Sequence, residues 1–120
     1  MGSKTKWIEH NGKKVVFNDL SNLSGNTYVE AIKESIDFTL QLKQTGILSV
    51  TNVRGSKADT DVLFMAKQHA ELSKRISKKA AVVGLKGTEF YFLQIVGTVS
   101  SFDIKPFDRL EEALDWLTAD

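Results

Sequence analysis

The chain has 120 residues, 42% hydrophobic and 26% charged, a balance that excludes disordered, collagen-like and coiled-coil chains and leaves one globular domain. Sixteen Lys and Arg against fifteen Asp and Glu leave a formal charge of +1, too little to gather phosphate backbones or anionic lipid. The absence of cysteine excludes disulfides, thiolate nucleophiles and iron–sulfur clusters and suits a cytoplasmic protein. No stretch approaches the ~20 apolar residues of a membrane span, and no N-terminal apolar run has signal-peptide length. Residues 1–5 read as a tail, disordered or added, and 6–120 as a single domain.

Residues 7–10 and 14–18 flank Asn11-Gly12, a pair that tolerates positive φ and suits the type I′ turn of a β-hairpin. Ser24 is placed to cap a helix in which Tyr28, Val29, Ile32, Ile36 and Leu40 recur at helical spacing, ending near Gly46. Ile36, Phe38, Leu40 and Leu42 also alternate as in a strand. The helix formers Glu30, Ala31, Lys33 and Glu34 favour helix over the whole stretch. Residues 47–53 are β-branched and mostly apolar, as in a strand buried on both faces.

From Asp59, the positions Val62, Met65, Ala66, His69, Leu72 and Ile76 form one stripe of a second helix, with Lys74, Arg75, Lys78 and Lys79 at its end. Residues 80–84 read as a second buried strand. Gly87-Thr88 opens a third helix carrying Phe92, Ile95, Val96 and Val99. A short edge strand over 104–107 contains Pro106, and Asp108 is placed to cap a fourth helix over 109–117. Strands alternating with amphipathic helices predict an α/β fold: a mixed sheet with parallel central strands and an antiparallel N-terminal edge strand, covered by about four helices.

Five segments, in this order and spacing, resemble the SpoIIAA-like, or STAS/Sec14-like, small bacterial proteins related to anti-sigma factor antagonists. They are residues 12–21, 48–56, 62–72, 80–84 and 107–117, and the resemblance covers nearly the whole chain. It implies a STAS-like sheet with packed helices and a non-enzymatic regulatory or protein-interaction module. The Sec14-like side implies an alternative, a small-molecule or lipid-binding domain with an apolar pocket. The antagonists carry a phosphorylatable hydroxyl in an Asp-Ser-(Ser/Thr)-Gly setting where the central strand meets its helix. This chain has Asn52-Val53-Arg54-Gly55-Ser56 there, which makes Ser56 the candidate phosphosite and Thr60 the second.

Ligands of parallel sheets gather beyond the carboxyl ends of the strands. Three predicted loops meet at that end and offer Asp19, Asn52, Arg54, Ser56, Lys86 and Thr88 to an anion or a partner loop, although the same residue types serve as ordinary caps and turns. His69 sits on an apolar stripe without a carboxylate three or four residues away, which favours a hydrogen-bonded core histidine over a base. His10, at the hairpin turn, reads as exposed. No catalytic set, metal-ligand spacing or cofactor motif is present: residues 84–88 lack the phosphate-loop order, and Asp59, Asp61 and Glu71 match no ligand pattern. The expected partners are an unidentified protein or a small apolar ligand, with nucleic acid excluded. The aromatic run Phe90-Tyr91-Phe92 exceeds what one buried face needs, leaving a homodimer surface or a pocket wall open. An apolar pocket of a few hundred cubic ångströms lined by Phe90, Phe92, Val96 or Met65 favours ligand binding, and a filled core with an exposed apolar patch favours a partner.

Overall fold

The structure, a computed structural model, describes residues 4–86 and 104–119. Its elements in chain order are β1 (Thr5–His10), β2 (Lys13–Asp19), α1 (Gly25–Leu42), β3 (Ile47–Asn52), α2 (Thr60–Ile76), β4 (Ser77–Val83), β5 (Ile104–Phe107) and α3 (Leu110–Thr118). The sheet order is β1-β2-β3-β4-β5, antiparallel for β1 with β2 and parallel for every other pair. Positive φ at both Asn11 (51°) and Gly12 (78°) gives the hairpin the turn that its sequence predicts. Residues 36–42 are helical, as the helix formers of this stretch favour. Three helices are described where about four are predicted, because the third predicted helix falls in residues 87–103, outside the described residues.

Several boundaries differ from expectation for local physical reasons. Thr5 is not tail but the first residue of β1, 1% exposed, and Lys4 accepts a backbone bond from Asp19. The α1 helix stops at Lys43, whose left-handed φ of 52° ends it before Gly46. Its buried face is Tyr28, Ala31, Ile32, Ser35 and Thr39, turned away from the all-apolar stripe, and Leu40 is left 56% exposed. Asp59 caps α2 by accepting from Val62 N at 2.9 Å. Asp108 does not cap α3, which starts one residue later with Arg109 at its N-cap and no side-chain bond.

Lys78 and Lys79 lie within β4 rather than before it. Lys79 Nζ donates to the carbonyls of Trp116 (2.9 Å) and Ala119 (3.2 Å), a cation on the open acceptors at the end of a helix that has no basic residue of its own there.

Strand alternation divides the interior in two. Val15, Val50, Ala81 and Val83 point to one face of the sheet and pack with Ala113, Leu114 and Leu117 of α3. Leu20, Val53 and Val82 meet Tyr28, Ala31 and Ile32 of α1 and Val62 of α2 on the other. The crossovers through α1 and α2 share one hand, which puts both helices on that second face.

Candidate functional site

At the carboxyl ends of the strands the predicted loops do converge, and they bond chiefly to one another. Asp19 Oδ1 accepts from the backbone N–H (3.3 Å) and hydroxyl (2.6 Å) of Ser21, and Asn52 Oδ1 accepts from Arg54 N at 3.1 Å. Arg54 Nη2 donates to the Asp108 carbonyl. Ser56 is buried; its hydroxyl donates to the Leu20 carbonyl and accepts from Leu23 N at 2.9 Å, tying the first two loops together. Gly84, at φ +90°, brings its backbone so close to Arg54 that a Cβ would lie 2.8 Å from the Arg54 Cα. Thr60 begins α2 and is exposed, Lys86 is exposed, and Thr88 lies outside the described residues. The side chains of Asp19, Asn52 and Ser56 therefore bond within and between the junction loops, and the Ser56 turn would have to open before its hydroxyl could attack a phosphoryl donor.

Among the described residues no group of three or more His, Asp or Glu side chains is placed to hold a metal ion. His10 is half-buried rather than exposed, with its Nε2 2.7 Å from Asp115 of α3.

The second face of the sheet carries a different arrangement. Lateral pairing aligns Thr5, Asn18 and Thr51 across β1, β2 and β3, and all three side chains are bonded in a row. Asn18 Oδ1 accepts from the hydroxyls of Thr5 (3.0 Å) and Ser35 (2.7 Å), and Asn18 Nδ2 donates to Thr51 Oγ1 at 3.1 Å. Ser35 Oγ lies 2.9 Å from His69 Nε2, so the chain of bonds passes from the sheet through α1 to α2. Burial lowers the pKa of His69 from 6.5 to about 4 and keeps the ring neutral near pH 7. The side chain is thus the hydrogen-bonded histidine that its stripe predicts.

Beside this row lies a mainly apolar cavity of about 140 Å³. Ile32, Val53, Val62, Ala66 and Val82 form much of its wall, while Ser49, Thr51, His69 and Ser73 contribute the polar part. It exists because Ser49 and Ala80, opposite one another in β3 and β4, are too small to fill the space under the helices. Met65 packs against the same cluster without lining the cavity, and Phe90, Phe92 and Val96 lie outside the described residues. The sequence pattern singles out His69 but misses Asn18, Ser35 and Thr51. The available signal is polar residues at inward positions: Ser35 and Thr39 four apart on the helix, Asn18 and Thr51 on inward strand positions.

Among solved structures, an uncharacterised protein of the DUF3478 family with a SpoIIAA-like fold, from Shewanella loihica PV-4, matches 94% of this chain and 91% of its own, with a TM-score of 0.70 and 13% identity. The chain has the SpoIIAA-like fold that its five segments resemble. No protein-family model matches the chain, and no curated protein matches it.

Proposed function

We propose that the chain is a non-enzymatic binding module that takes one small, largely apolar molecule between α1, α2 and the sheet. The cavity of about 140 Å³ carries this reading, because it is walled mainly by apolar side chains and set beside neutral polar groups. An apolar cavity of roughly 150 Å³ accepts benzene, so the volume suits a single ring or a short alkyl group and is too small for the acyl chains of a phospholipid. Ser35, the hydroxyl next to His69, is fully buried and already bonded to Asn18, which supports binding over nucleophilic chemistry. Titration with toluene followed by amide NMR tests the reading. Saturable one-to-one binding, lost when Ala66→Leu fills the space, is expected; no saturable shift with either toluene or phenol at millimolar concentration contradicts it.

A second reading, a regulatory partner-binding module, draws support from Phe64, which stands 61% exposed on the first turns of α2 near the loop of Ser56. Affinity capture from native cells with the wild type and Phe64→Ser separates the two. A partner lost with Phe64→Ser favours regulation, and equal capture by both proteins removes this reading.

A further inference from the structure

The hydrogen-bond row points to one tautomer of His69. A serine hydroxyl has one proton, and that of Ser35 goes to Asn18 Oδ1 at 2.7 Å. Ser35 Oγ can then only accept across the 2.9 Å contact, so His69 Nε2 is the donor and carries the ring proton. The other nitrogen, Nδ1, bears a lone pair. His69 is partly exposed and lines the cavity, and among the described residues no side-chain nitrogen or oxygen is buried without a partner, which fits an Nδ1 open to that space.

Resting on the reading of the cavity as a ligand site, we infer that His69 Nδ1 is its specificity-determining acceptor and that the ligand is a small neutral molecule, apolar except for one hydroxyl or N–H donated to that nitrogen. Phenols and short alcohols have this chemistry. Carboxylates do not, because the neutral ring offers an anion no charge and the lone pair repels it. Pure hydrocarbons fit the walls but leave Nδ1 without a donor, the omission that costs a polar site its affinity.

The test uses phenol and toluene, which have the same shape and differ by hydroxyl against methyl. In the ¹⁵N-labelled protein at pH 7, long-range imidazole spectra are expected to show a protonated Nε2 and an unprotonated Nδ1 for His69, with the Nδ1 resonance shifting on phenol addition. Phenol is expected to bind about tenfold more tightly than toluene. His69→Phe, which keeps a ring in place, is expected to abolish that preference while retaining toluene. A protonated Nδ1 in the wild type, or toluene binding as tightly as phenol, would overturn the assignment of His69 and leave the cavity as a ligand site. Failure of both probes to bind would remove the cavity reading, and the inference with it.

Discussion

The two faces of one sheet are built from alternate residues of the same strands, yet they differ in kind. Toward α3, Val15, Val50, Ala81 and Val83 close on Leu114 and Leu117 as an apolar core with no polar row among its strand positions, open at its edge to a cleft lined by Leu48, Lys79, Leu117 and Ala119. Toward α1 and α2, the neighbouring positions are Asn18, Ser49, Thr51 and Ala80, which leave a bonded polar row and an unfilled volume. The first face is packed by apolar side chains, while the second trades part of its apolar packing for a polar row and a cavity. A strand thus writes two messages at period two, and the binding proposed here rests on the one with small and hydroxyl residues.

The largest expected effect contrasts the two faces by truncation. Leu117→Ala, packed among Val15, Val50 and Val83 and 1% exposed, is expected to cost about 3–5 kcal/mol in chemical denaturation. Ile32→Ala, equally buried but already bordering the cavity, has fewer neighbouring atoms to lose and is expected to cost about 2–3 kcal/mol. Equal losses would erase the distinction between the faces.

Acid should weaken the cavity face selectively. His69 titrates near 6.5 in the unfolded chain and near 4 in the folded protein, so between those values the unfolded state binds more protons. Its contribution is complete above about pH 6.5 and is lost as pH falls toward 4, about 3 kcal/mol in all. Denaturation midpoints measured across this window should fall less steeply for His69→Gln than for the wild type. Parallel slopes would mean that the ring is solvated in the folded protein.

Asn18→Ala is expected to cost about 2 kcal/mol, because it leaves the inward hydroxyls of Thr5, Ser35 and Thr51 without their shared partner. A hydrogen-exchange measurement should show the loss spread over β1, β2, β3 and α1, the elements that Asn18 bonds together. The smallest expected change in stability, under about 1 kcal/mol, is that of Ala66→Leu, which adds apolar volume to space already present. Thermal unfolding checks it, and a large destabilisation would mean that the cavity is closed to a side chain.

Most of the fold is legible in the order of the residues. Asn11-Gly12 announces the hairpin, the β-branched run at 47–53 the central strand, and Asp59 the start of α2, because each depends on local propensity or turn chemistry. The site is less legible. Asp19, Asn52, Arg54 and Ser56 meet where the topology sends them, but the groups that could bind a ligand also complete turns, and only their bonding partners tell the two apart. Ser35 is hidden for the opposite reason: read along α1 it is a polar interruption, and only the pairing of β2 with β3 brings Asn18 and Thr51 beneath it. His69 stands out as a histidine on an apolar stripe, yet its tautomer depends on residues far away in sequence.

The central claim, that the α1/α2 face is the binding face, is tested most directly by mapping amide chemical shifts through a phenol titration. Saturable shifts are expected at Ile32, Thr51, Val62, His69 and Val82, with Ala113, Leu114 and Leu117 unmoved. Shifts centred on the α3 face, or none that saturate, would contradict the account.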